Sequence, residues 1–384
     1  MSAPQFSSMP YTPTQHAAAH SPGLWALAWR RLRADRLAMA ALAVVVAALL
    51  MVALSASGLI VSDWEDEVGV NYAPPGFVGA QSDAERGPVS GAAVSAAPAP
   101  APVNVFDPIA DDIAALKAQA GADDAPLDMY GVSDPLAGDL AKLRAGLAKS
   151  GHHAAGARLQ TLPFGADKWG HDILKKTIKG GETSIVVGLV AALLAVVLGT
   201  LFGAYAGYYG GLVDDFFNWF YSVFTAIPSV LMILTVAAVL QQKGVTTIVL
   251  ILGLTGWTGP FRLMRAEYIK HKAREYVMAA DAIGASHWRR MYSHIFPNVS
   301  HVALVQMSIL VVGFIKAEVI LSFLGFGVPV GVVSWGSMLN ESQNELILGK
   351  WWQLTAASVA MAVLVTAFSL FTDALRDALD PKVK

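Results

Sequence analysis

Apolar residues in this chain are not scattered with helical or strand period over a mixed surface. They run in six long windows, most of them free of any charge. Ala38–Ile60, Thr183–Tyr209, Phe216–Leu240 and Trp351–Phe371 contain no Asp, Glu, Lys or Arg, and Val299–Leu324 contains only Lys316 and Glu318. Val245–Phe261 is shorter and broken by Gly253, Gly256, Gly259 and Pro260. A bilayer core is crossed by about 20 mostly apolar residues in a helix. The pattern therefore predicts an all-α polytopic membrane protein with six transmembrane helices. The first window lacks a small-residue cleavage site and is long for a leader, so it reads as a retained anchor. Pro228 inside the third window predicts a kink.

Between the windows the pattern changes. Residues 1–22 are polar and rich in Ser, Pro and Ala, the composition of a disordered tail. Residues 62–161 form a long insert with 14 acidic against 6 basic residues. Its stretch from Pro88 to Val103 is an Ala/Pro linker, extended rather than packed. Beyond it DPIADDIAALKA from Asp107 is echoed by DPLAGDLAKLRA from Asp134. Each copy offers Asp as N-cap and Pro as first helical residue, which predicts two short amphipathic helices. Over 162–182, Asp167 to Gly180 mixes Lys168, Lys175, Lys176 and Lys179 with Trp169, Ile173, Leu174 and Ile178. This reads as an interfacial helix. The resulting division is a tail over 1–37, a first span over 38–60, an insert over 61–161 and the interfacial helix over 162–182. The helical core follows over 183–373, and a second tail over 374–384.

Charge sets the orientation. Only 15% of the 384 residues are charged, with a net charge of −2, well below the usual quarter for soluble chains. Arg30, Arg31, Arg33 and Arg36 precede the first span, and seven Lys and Arg stand between Arg262 and Arg290. By the positive-inside rule both lie in the cytoplasm, and six spans return Arg376, Lys382 and Lys384 to the same side. There is no basic patch for nucleic acid and no cysteine. No nucleophile–base set and no metal spacing is visible; Gly349-Lys350 lacks the rest of a phosphate loop. No catalytic or metal-binding residue is therefore expected. Gly199, Gly203 and Gly207, at i, i+4 and i+8, predict a close helix–helix approach. Lys316 and Glu318 interrupt the fifth span, where ionisable groups default to a wet path or a protein interface; both stay open for the pair, as does snorkelling to the outer boundary for Lys316.

The loop over 262–298 carries the informative motif. Ala266 to Ile283 forms helix, Gly284 breaks it, Ser286 caps a second short helix running to Phe296, and Pro297 ends that one. Ala279 and Ala280 give a small-residue face, with Glu275, Arg289 and Arg290 as charge and Tyr276, Ile283, Trp288 and Met291 as apolar knobs. A docking hairpin and an amphipathic hairpin on the inner leaflet both fit this composition.

Glu275, Ala279, Ala280, Gly284, Ile295 and Pro297 stand in the order of the EAA motif, the loop by which permease subunits of ABC importers dock their ATPases. LPFGADKWGHDIL from Leu162, AGYYGGLVDDF from Ala206, AIPSVLM from Ala226, LSFLGFGV from Leu321, VSWGSML from Val333 and ALRDALDP from Ala374 narrow the likeness. The chain resembles the C-type permease of dipeptide and oligopeptide importers, closely over 161–381 and more loosely over 24–60. The resemblance implies a type I importer permease fold in a bacterial inner membrane, carrying di- or oligopeptides. Related cargo would be a nickel chelate, a peptide-like antibiotic or a sugar-peptide; an ion-coupled secondary transporter is the more distant alternative. Implied partners are a second, homologous permease, two ATPase subunits, an extracytoplasmic peptide-binding protein, peptide and lipid bilayer. ATP and Mg would be used by the ATPases, so the chain itself would be no enzyme and would bind no cofactor. The family's final Leu-Pro is here Phe296-Pro297, and the family pattern does not account for the long insert.

Overall fold

The computed structural model describes residues 24–79 and 158–379, apart from 243 and 330. The two repeats read as helices in the insert, its Ala/Pro linker, residues 1–23 and residues 380–384 lie outside those residues. The chain divides into two compact units, residues 1–79 with 160–384, and residues 80–159. The described part of the first is built of helices joined by irregular segments, with two isolated β-bridges at Pro75–Leu162 and Ala166–Asp172.

Helix α1 (Leu24–Ala34) turns sharply into α2 (Arg36–Ala56) at Asp35, whose carboxylate accepts the Leu37 and Ala38 N–H groups. Helix α3 (Ile173–Tyr209) starts on Asp172, which caps Leu174, and runs unbroken for 37 residues. At 1.5 Å per residue it is about 55 Å long, more than a bilayer needs. The expected interfacial helix over 162–182 is thus corrected. Its first half is a loop, and its second half is the first turns of α3, with Lys176 buried rather than lying on a surface.

Helices α4 (Gly211–Thr225) and α5 (Ser229–Leu240) occupy the third apolar window and meet at 83°. Pro228 therefore ends one helix and begins another instead of kinking one. It lacks the N–H that a continuing helix needs, and it disfavours helical backbone at the residue before it. Helices α6 (Val245–Thr255) and α7 (Thr258–Lys272) follow, then α8 (Glu275–Ala282) and α9 (His287–Phe323). Among the described residues, five helical stretches are long and apolar enough to cross a membrane, six if the bent pair counts as one.

Two boundaries of the 262–298 loop differ from the sequence reading. Helix breaks at Ala273 and Arg274, so Ala266 to Ile283 is two helices. Pro297 does not terminate anything: α9 passes through it in a π turn over Arg290–Ile295 and continues to Phe323. The wider turn absorbs a proline that would otherwise clash with the carbonyl four residues back. One further helix, α10 (Trp335–Ile347), is too polar for any hydropathy window. Its start is written in Ser334 and Ser337, each side chain accepting the other's backbone N–H. Helix α11 (Trp352–Leu379) closes the fold against α2 and α10.

The centre of the molecule is α3, packed between α7, α9 and α6. Backbone pairing joins the two sides of the insert. Gly76 N–H donates to Leu162 O at 2.8 Å, Ala166 N–H to Ala73 O at 2.8 Å and Gly69 N–H to Gly170 O at 2.9 Å. Residues 69–76 and 162–170 are therefore joined directly by backbone hydrogen bonds. Joining Gly79 to Arg158 through a short Gly/Ser linker should leave the thermal midpoint of the remaining chain unchanged. A drop of more than a few degrees would show that the insert carries part of the core's stability.

Candidate functional site

At one end of the bundle α8 stands as a short exposed ledge. Glu275 opens it, where a carboxylate is favoured by the helix dipole. Its far end closes in a Schellman turn: Ala285 N–H donates to Ala280 O and Gly284 N–H to Asp281 O, with Gly284 at φ +81°. Only a residue free to adopt that left-handed backbone closes the turn without strain. The two alanines separate. Ala279 faces outward, whereas Ala280 and Val277 are buried beneath the ledge. Ile295 is also buried, packed with Tyr268, Met291 and Val299, while Pro297 is exposed. Of the six motif residues, Glu275, Ala279, Gly284 and Pro297 are thus presented, and Ala280 and Ile295 support them from within. This corrects the reading of Ala280 as part of an outward contact face. The exposed apolar rim is Met278, Ile283 (85% exposed) and Trp288 (62% exposed).

The ledge is tied to the helices behind it. Asp281 pairs with Arg290 at the start of α9. Arg290 also donates to His287 Nδ1 at 2.8 Å and lies over the Tyr208 ring, 5.9 Å from its centre, near the end of α3. Lys272 lies over the same ring at 5.5 Å. Arg290 thus links α8 to α9 and, at the Tyr208 ring, to α3.

Along α9, Lys316 and Glu318 point to different sides. Lys316 is exposed. Glu318 is fully buried, its carboxylate accepting Ser184 Oγ and Ser322 Oγ, each at 2.6 Å. Ser184 in turn accepts the Trp335 N–H at 3.2 Å. The assignment of Glu318 to a path or a permease interface is corrected: it joins α9, α3 and α10 inside this chain. Two hydroxyls replace the water the carboxylate lost, which is what burial of such a group requires.

At the opposite end, a second polar cluster was not foreseen. Lys176 is 4% exposed at its side chain and donates to Asp167 Oδ2 and Glu341 Oε2, both at 2.7 Å. Asp167 also accepts the backbone N–H groups of Trp169 and His171 and meets His171 Nδ1 at 3.0 Å. Although burial pushes the Asp167 carboxyl up, His171 and the Lys176 ammonium hold it well below the usual carboxylate range. The signal available in the sequence was one lysine on a helix that otherwise reads as apolar inward. Its partners lie 9 and 165 residues away, beyond any local pattern.

Glu345, on α10, is buried to 1% exposure and neither of its oxygens has a hydrogen-bond partner. Burial raises its carboxyl to about 7; Lys176 pulls it back, and Asp167 and Glu341 add to the rise. The folded chain therefore holds a proton here that the unfolded chain releases near pH 4.5. Stability on this account falls as pH rises from about 4.5 towards 7 and stays low above it. Glu345→Gln should be more stable than the parent at pH 8, by up to about 3 kcal/mol. The gain should vanish near pH 4.5, as read by thermal unfolding across that range. Equal midpoints at pH 8 would mean that water reaches the carboxylate.

The chain's likenesses agree with this architecture. The family described as binding-protein-dependent transport system inner membrane component matches residues 199–384. The N-terminal TM domain of oligopeptide transport permease C matches residues 23–75. The dipeptide transport system permease protein DppC of Bacillus subtilis is 35% identical over 221 residues, 58% of this chain and 69% of that one. The oligopeptide permease protein OppC of the same organism is 35% identical over 221 residues, 58% and 72% of the two chains. OppC of Salmonella typhimurium is 36% identical over 219 residues, 57% and 72%. An inward-facing MetNI methionine ABC transporter chain overlaps 54% of this chain and 98% of its own at 13% identity and a TM-score of 0.42, too loose a likeness to bear on the argument.

Proposed function

The chain belongs to the inner-membrane permeases of binding-protein-dependent transport systems, and from that membership we propose that it forms half of the pore of an ATP-driven importer of di- or oligopeptides. It is a multi-pass membrane protein of a transport complex. In this reading both termini are cytoplasmic, and residues 61–161 form an outer insert. A homologous permease completes the pore, two ATPases bind ATP and Mg, and an outer binding protein delivers peptide. This chain binds no cofactor of its own.

One observation carries the reading: an exposed apolar ledge, braced by Asp281–Arg290, at the root of a helix that continues for 37 residues into the span. An ATPase that gripped Met278, Ala279, Ile283 and Trp288 would lever α8. Arg290 would pass the displacement to α9 and, through Tyr208, to α3. Because α3 and α9 are locked together further along by Ser184–Glu318, the two would tip as one body. That is a rigid-body route from outward-open to inward-open.

The test is uptake of a defined peptide library into liposomes bearing the four membrane-associated subunits, with binding protein outside and ATP inside. Peptide should accumulate only with ATP. Ala279→Trp, which overfills a contact while leaving the buried Ala280 alone, should cut uptake about tenfold, since overpacking costs about 1–3 kcal/mol. The ATPases should co-purify less well, while insertion of the subunit stays normal. Unchanged uptake with retained ATPases would remove the ledge as the docking site.

A further inference from the structure

Helices α2 and α11 leave between them an open groove of about 450 Å³, lined by Leu37, Ala40 and Val44 on one side and Ala362, Thr366 and Leu370 on the other. Its lining is almost entirely carbon. It begins at Leu37, one residue beyond Arg36, and from Leu37 to Val44 it runs about 10 Å along α2. Where it begins, α1 folds back against the end of α11, with Ala28 and Leu32 packed on Ala378 and Leu379. That corner is basic. Arg30, Arg33 and Arg36 are exposed, and Arg33 lies over the half-exposed Trp29 ring at 4.9 Å. Of the acids in the same region, Asp35 is engaged in capping α2, and Asp373 and Asp377 lie towards the end of α11, flanking Arg376.

An occupant must combine an anionic head at the corner with a narrow apolar tail directed along the span. A partner helix could lay its side chains into such a groove but carries no anionic head to meet the basic corner. We propose that the groove holds one acyl chain of an anionic phospholipid whose phosphate rests on Arg33 and Arg36. Basic clusters at the mouth of a span attract such headgroups, each residue adding about fivefold to affinity at low salt. The site rests on α2 and α11 crossing the membrane, but not on what the transporter carries or on how ATP drives it.

The purified full chain in detergent, titrated with dioleoylphosphatidylglycerol or dioleoylphosphatidylcholine, tests this by native mass spectrometry without ATP or peptide. Phosphatidylglycerol should bind at least about fivefold more tightly than phosphatidylcholine. Arg33→Gln with Arg36→Gln should weaken phosphatidylglycerol about 25-fold, two arginines' worth, and leave phosphatidylcholine unchanged. Ala40→Phe, placed at an exposed groove position, should weaken both lipids about tenfold, on the order of one overpacked contact. Equal binding of the two lipids, or arginine variants that behave like the parent, would overturn the proposal. So would loss of phosphatidylglycerol binding on adding the partner permease, which would make the groove a subunit contact.

Discussion

Gly203→Leu should leave almost no folded chain in the membrane, whereas Gly313→Leu should behave like the parent. A Cβ at Gly203 would lie 2.6 Å from Phe261 O, 2.9 Å from Arg265 N and 2.9 Å from Met264 Cβ. Two of those three atoms are backbone, so no rotamer change relieves the clash and α7 must move bodily off α3. Gly199 and Gly207 repeat the situation one turn away on either side, against Trp257 O and Arg265 O. Where lipid is as apolar as leucine, such close backbone approach is what holds helices together. Separating them should cost about 3 kcal/mol or more, at the upper end for overpacking. Gly313 also sits within a helix, but a Cβ there meets nothing within 4 Å, and leucine improves on glycine in helix propensity. Monodisperse yield and thermal midpoint of the two variants, side by side, separate packing from a general intolerance of side chains in spans. Comparable yields would show that α3 and α7 are not held by this stripe.

The glycine stripe was legible because its period is local, i, i+4 and i+8; that its partner is α7 was not. The same division runs through the whole fold. Charge-free windows marked the spans, since the bilayer imposes one length and one chemistry on them. They did not mark α10, whose Asn340, Glu341, Ser342 and Glu345 give it the composition of a loop. Proline was misread twice in opposite directions. Pro228 breaks the chain through 83°, and Pro297 is absorbed by a π turn, because what a proline does depends on whether neighbouring turns can widen. The EAA-like motif was legible as an order of residues, but which alanine points outward depends on the frame of α8 against α9. Glu318 shows the limit most plainly. An acid in a span suggests a wet path until Ser184, 134 residues away, is found donating to it.

Lys176→Met should destabilise the chain by about 3–5 kcal/mol at neutral pH, the usual cost of removing one partner from a buried ion pair. Methionine fills the space of the lysine stem, so the loss reports charge and not volume. Without the ammonium, the wholly buried Asp167 keeps only His171 and backbone donors. Glu341 and Glu345 then add two more acids to the same region, one of them already without a hydrogen-bond partner. The sign of the pH dependence follows. In the parent, Lys176 and His171 depress the Asp167 carboxyl, so its contribution is present above its unfolded value near 3.8 and is lost only in strong acid. In Lys176→Met the uncompensated carboxylates gain from taking up protons, so lowering the pH from 8 to 5 should recover part of the lost stability. Adding Asp167→Asn should recover more, because the charge left stranded is then gone. Thermal midpoints of the single and double variants at pH 8 and pH 5 measure both effects. A single variant as stable as the parent at pH 8 would mean that the cluster is wet. The segment preceding α3, α3 itself, α10 and α11 would then be joined by apolar packing and by neutral hydrogen bonds such as Trp335 Nε1 to Thr177 O and Trp352 Nε1 to Ala166 O, with the ion pairs as bystanders. The geometry argues otherwise. Lys176 is the one cation among the described residues that bonds Asp167, Glu341 and Gln353 together, and those three come from three of these four elements.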